Sequence, residues 1–112
     1  MSEQRACVLA TTVTATDSIQ AGRAVAPGGG LAAAGGPALG LAYFDADAGQ
    51  DLTVEMLGLL PATAGAAISV GQALEVGANG KLVPQSSGEK VARALTSAAG
   101  DGRTVQVTPI PN

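Results

Sequence analysis

From Cys7 to Ala15 the chain alternates, with Cys7, Leu9, Val13 and Ala15 on one face and Thr12 and Thr14 on the other. A period of two, rich in threonine and valine, predicts a strand with one buried face. Leu39–Phe44 predicts a second strand, and Leu52-Thr-Val-Glu-Met56 a third, with Leu52, Val54 and Met56 facing inward and Glu55 outward. Leu57–Leu60 closes the first half and Pro61 ends it, since proline supplies no ladder donor. Thr63–Ile68 is read as one helical turn. Strands then follow at Ala73–Val76, Leu82–Val83, Val91–Leu95 and Arg103–Thr108, and Pro109-Ile-Pro111 stops further pairing. Asn79-Gly80 joins two of these as a tight hairpin, because both positions tolerate positive φ. Eight or so short strands between glycine turns predict an all-β fold, a small antiparallel sandwich or barrel.

The pattern occurs twice. Ile19-x-x-Gly22-x-Ala24-Val25 matches Ile68-x-x-Gly71-x-Ala73-Leu74, 49 residues later. Beyond the hairpin the best sequence offset becomes 51, pairing Leu31 with Leu82, Ala48-Gly49 with Ala99-Gly100, Thr53-Val54 with Thr104-Val105, and Met56 with Val107. Two copies read as a duplication inside one domain, because a solenoid needs three or more units to bury a continuous core. Residues 1–112 are therefore read as a single domain of two pseudo-repeats, about 18–56 and 67–107, behind a flexible N-terminal arm over 1–6.

Composition changes this picture in one respect. There are 23 alanines and 16 glycines, but one Phe, one Tyr and no Trp. Alanine contributes little apolar area, and each glycine loses more freedom on folding than any other residue. A monomer of this inventory is expected to be marginal, and burial against sister subunits is the natural remedy.

Charge excludes several functions. Six basic residues stand singly against nine acids, for a net charge of −3, which offers no footprint for nucleic acid. No apolar run reaches the length of a membrane span. Met-Ser-Glu-Gln-Arg lacks the regions of a signal peptide, so synthesis in the cytoplasm is expected. The single cysteine forms no internal disulfide and reads as a small buried hydrophobe. With no histidine, Ser-His-Asp and Cys-His arrangements cannot form in cis, and no catalytic residue or cofactor site is assigned. Gly28-Gly29-Gly30 lacks the lysine and helix of a phosphate loop. Asp45, Asp47 and Asp51 occupy part of a calcium-loop spacing, but the turn glycine is at position five and Met56 stands where a glutamate is needed. A solvated turn is expected there, and no metal site. Lys90 and Arg93 are placed on an outward strand face. Lys81 at a hairpin invites a lipoyl or biotinyl carrier, yet it lies within the second repeat rather than between the halves.

The repeated Ile-x-x-Gly-x-Ala pattern, Gly40-Leu-Ala42, Ala48-Gly49, Pro61-Ala-Thr-Ala-Gly-Ala-Ala-Ile68 and the segment Ala92–Val107 resemble the small capsid cement, or decoration, proteins of tailed bacteriophages. The resemblance spans about residues 7 to 108 and departs mildly at Lys90-Val91-Ala92, where family members often carry Gly-Val-Ala. It implies an all-β protein on the outer capsid surface of the virion, binding the major capsid protein and its own copies, usually as a homotrimer, with a dimer as the alternative. It carries no catalytic or ligand residues. The candidate contacts are Ser2, Glu3, Gln4 and Arg5 in the arm, which could add a strand to a capsid protein. Pro27, Gly28, Gly29, Gly30 and Leu31 are added as a loose, mobile loop. The alternatives are another β-rich virion module of the tail or a fibre, or a carrier domain.

Overall fold

A computed structural model describes residues 6–110; the candidate arm residues Ser2, Glu3, Gln4 and Arg5 lie outside them. Eight strands follow in order: β1 (Ala6–Thr14), β2 (Ala24–Val25), β3 (Gly40–Ala42), β4 (Asp51–Thr63), β5 (Ala73–Val76), β6 (Leu82–Pro84), β7 (Ala92–Ala94) and β8 (Thr104–Pro109). All pair antiparallel, in the order β2-β3-β4-β8-β7-β5-β6, with β1 also on β4. The sheet nearly closes on itself. Ala64, just past β4, bridges Leu82 of β6, and Gly65 N–H donates to the Leu82 carbonyl at 2.8 Å. The predicted all-β architecture is therefore observed, as a barrel-like sheet.

Both halves use one set of backbone hydrogen bonds. Ile19 exchanges a pair with Ala46, and Ile68 an equivalent pair with Ala98. Gly22 N–H donates to Ala42, as Gly71 N–H does to Ala94, and both glycines take the positive φ their turn requires. The correspondence differs from the sequence offset beyond the hairpin. Ala42 pairs with Val54 and Ala94 with Val107, so Val54 corresponds to Val107 rather than to Val105. A slip of two leaves every side chain on its original face, which is why alternation cannot reveal it.

This correspondence organises the interior into two cores. One holds Ala15, Ile19, Val25, Ala42, Ala46, Leu52 and Val54. The other holds their counterparts Ala64, Ile68, Leu74, Ala94, Ala98, Val105 and Val107, and adds Ala24, Leu41, Leu60 and Leu82 among others. Strands β2 and β3 thus lie between the two. Val25 and Ala42 enter the first core, while Ala24 and Leu41 enter the second. Glu55, on the same outer face as Leu41, is buried as well, contrary to its reading as a solvated position.

Three local readings change. Pro61 does not end β4; it pairs opposite Gln106. The Gln106 N–H donates to Thr96 Oγ1 and its carbonyl accepts from Leu95, so that position of the β4–β8 ladder asks for no donor from residue 61. Pro109 likewise lies within β8 opposite Ala92, and Ile110 N–H donates onward to the Val91 carbonyl. Thr63–Ile68 is not helical: Ala64 and Ile68 are each spent on a bridge, with a bend at Gly65-Ala66 between them.

The Asn79-Gly80 turn forms as predicted, with φ of 58° and 74° and Lys81 N–H donating to the Ala78 carbonyl. It also clasps the halves together. Arg23 donates through Nη1 to the Asn79 carbonyl at 3.0 Å, and Gly80 rests on β2. A Cβ on Gly80 would lie 2.6 Å from Leu31 Cδ1, on a backbone that L-residues avoid. Gly80→Ala should therefore cost about 2–4 kcal/mol and lower Tm by on the order of 10 °C. Gly100→Ala, with open space around it, should change stability by less than about 0.5 kcal/mol. Thermal melts of the two variants check both values.

Candidate interaction surface

Several polar side chains of the described residues hold turns or reach across them. Asp45 accepts the Ala21 N–H at 2.7 Å and Asp47 accepts the Ser18 hydroxyl, so this acidic turn pins the loop before β2. Asp51 stands apart at the start of β4, and no group of three potential ligands converges among the described residues. Lys81 lies 2.9 Å from Asp101, and this ammonium holds the Asp101 carboxyl below its ordinary pKa. Arg93 is exposed between buried Ala92 and Ala94, as placed from the sequence, and donates to the Gly71 carbonyl at 2.8 Å. Between the halves is a void of about 10 Å³ beside Ala24, Leu41, Leu82 and Val91. That is room for about one water.

One carboxylate is built into a cradle. Glu75, on the outer side of β5, accepts hydrogen bonds from the backbone N–H of Ser86, the N–H of Gly88 at 3.2 Å and the Ser86 hydroxyl at 3.3 Å. The Ser86 and Gly88 N–H groups lower its pKa and outweigh the opposing effect of burial. Gly88 in turn lies against Gly35, and Glu89 N–H donates to the Gly35 carbonyl. Glu75 thus ties the loop after β6 to the long loop of the first half.

The surface offers apolar groups instead. Tyr43 and Phe44 are 47% and 41% exposed and meet edge to face, with centroids 5.9 Å apart and planes at 62°. Leu95, at the position matching Tyr43, is exposed too. A second patch lies on β1, where Ala6–Thr12 is exposed and Val8 reaches 77%. Cys7 is exposed rather than buried. Every residue from Ala6 to Thr12 is exposed, so neither face of this part of β1 meets a core.

Of the loop candidates, Pro27 and Gly28 are exposed, Gly30 and Leu31 half-buried, and Gly29 buried. The loop is held rather than loose. Ala26 and Gly30 are joined by a 2.7 Å hydrogen bond, Thr16 N–H donates to Gly29, and Asp17 accepts the Leu31 N–H at 3.0 Å. The structure brings these residues together at the end of β1. Sequence reasoning treated Tyr43 and Phe44 as strand residues, although two adjacent aromatics cannot both face one core. It also passed over Ala6-Cys-Val-Leu-Ala10, whose unbroken apolar run signals two apolar faces.

The family model described as phage cement protein matches residues 3–109. The solved structure described as the head fiber gp8.5 N base of bacteriophage phi29 matches with TM-score 0.75 and 26% identity, over 91% of this chain and 93% of that one. No curated protein matches.

The Glu75 cradle sets a pH dependence. Because its folded pKa is depressed, its contribution is complete above the ordinary carboxylate range and is lost as pH falls through the folded value. Glu75→Gln should lower Tm at pH 7, and the gap to the unaltered chain should narrow towards pH 3. Melts across that range read the difference.

Proposed function

Because the chain belongs to the phage cement protein family, we propose that it coats the outer face of a phage head and braces neighbouring major capsid proteins. It is a structural component of the phage head, and its relatives make it a part of the virion. The reading carries no enzymatic activity and no cofactor. Its main support is the cement-family match over nearly the whole chain, joined by likeness to a head-fibre base. Copies associate as a homotrimer at threefold or quasi-threefold positions, so that weak contacts with the shell add by avidity. The exposed Tyr43–Phe44 pair supplies a rigid apolar anchor of the kind that dominates interfaces. The Pro27-Gly28 turn adds a second contact to the shell, and the arm Ser2, Glu3, Gln4 and Arg5 a third.

A second reading, a base that carries a fibre on the head, is favoured by the phi29 relative. Electron microscopy of the virion separates the two by whether density continues outward from each copy. The carrier-domain alternative loses support from Lys81, whose ammonium is engaged by Asp101.

Co-sedimentation with purified expanded heads tests the first reading. Binding should saturate at a fixed number of copies per head; a correctly folded chain that ignores expanded heads overturns it. The double variant Tyr43→Ala, Phe44→Ala should weaken binding at least tenfold, equivalent to about 1.4 kcal/mol, while its melting temperature stays within a few degrees.

A further inference from the structure

Between Val54, in the first core, and Leu60, in the second, β4 pairs with β1 as a two-stranded ribbon. Ala6 pairs with Leu59, Cys7 with Gly58 and Leu9 with Leu57. All of Ala6–Ala10 is exposed, and Met56, Leu57, Gly58 and Leu59 are half-exposed. These nine residues are apolar without exception. No charge occurs anywhere from residue 6 to 16 or from 56 to 74. The ribbon is therefore uncovered, although it contains the most apolar run of the chain.

Such an element is costly alone. A two-stranded ribbon is marginal in water without a third layer, and an exposed apolar edge strand invites aggregation. Another molecule seated on it would remove that cost.

Charge decides which. A shell protein met only after assembly docks against a surface that has already stood in water, and such contacts are about as polar as the rest of a protein surface. A permanent contact between identical chains is more apolar, and an uncharged apolar surface is complementary to itself. The register shifts at Cys7–Leu9 and Leu9–Ala10 interrupt the free edge of β1, so the ribbon offers its faces rather than its hydrogen bonds. We propose that this ribbon, Ala6–Ala10 with Met56–Leu59, is the surface by which copies of the chain associate. The inference rests on the oligomeric reading above and names its contact.

Cys7, the single cysteine, lies within the ribbon and reports on it without mutation. The test combines sedimentation velocity over roughly a hundredfold range of concentration with maleimide labelling of Cys7, on the unaltered chain and on Val8→Lys. Val8 is 77% exposed, so the lysine leaves the protomer folded, which a melt at low concentration verifies. The unaltered chain should sediment as an oligomer and label at least tenfold more slowly than when unfolded. Val8→Lys should dissociate and label freely. A monomer with reactive Cys7 at all concentrations overturns the proposal, as does Val8→Lys that keeps the assembly. Head binding measured in parallel keeps the two readings apart. Cys7 protected only on heads gives the ribbon to the shell protein and leaves the function intact, whereas an intact oligomer that ignores heads counts against the function alone.

Discussion

The structure depends on a wall of two very short strands that is apolar on both sides. β2 and β3 contribute five residues, all buried, and four of them are divided between two cores. Neither half of the chain closes without this wall. The first core needs Val25 and Ala42 to face Ile19 and Leu52; the second needs Ala24 and Leu41 to cover Leu82 and Val91. Small residues suit the position. Two cores separated by a single backbone layer leave little depth, and alanine and glycine let the layers approach where larger side chains would force them apart. The alanine-rich composition thus follows from the architecture as much as it weakens it.

The same wall explains the asymmetry between the halves. Matching residues fill both cores, but the second also receives the outer face of the first half's sheet and is larger for it. The Asn79-Gly80 turn sits at this junction, resting on β2 and accepting a hydrogen bond from Arg23. Its first-half counterpart, Pro27–Gly30, has no second half to rest on and is tied instead to the end of β1 through Thr16 and Asp17. One turn holds the halves to each other; the other closes its own half.

Much of this was legible in the residues. Alternation located nearly every strand, and Asn79-Gly80 announced its hairpin with the correct backbone. The repeat was legible in Ile19 and Ile68, which plug matching positions. What stayed hidden has a physical reason in each case. The two-residue slip between Val105 and Val107 conserves facing, so alternation is blind to it. Pro61 and Pro109 look like terminators until the ladder is seen to need no donor from residue 61. Cys7 looks buried until both faces of its part of β1 are seen to lie open. Glu55 reads as solvated because the cover over its face comes from a distant part of the chain. The interaction surfaces were the least legible, since an exposed Tyr43 or Val8 is distinguished from a core residue only by what the fold fails to place over it.

The chain has no histidine, several of its carboxylates are tied to turns, and its interior is built of small aliphatic residues. Several polar groups serve the scaffold: Asp45 and Asp47 fix one loop, Glu75 another, and Lys81 reaches Asp101 within the second half. The double core supplies rigidity, while the exposed aromatic pair and the apolar ribbon are the surfaces the fold leaves open. In the proposed reading the first meets the shell and the second a sister copy, and a patch used between copies is not available to the shell.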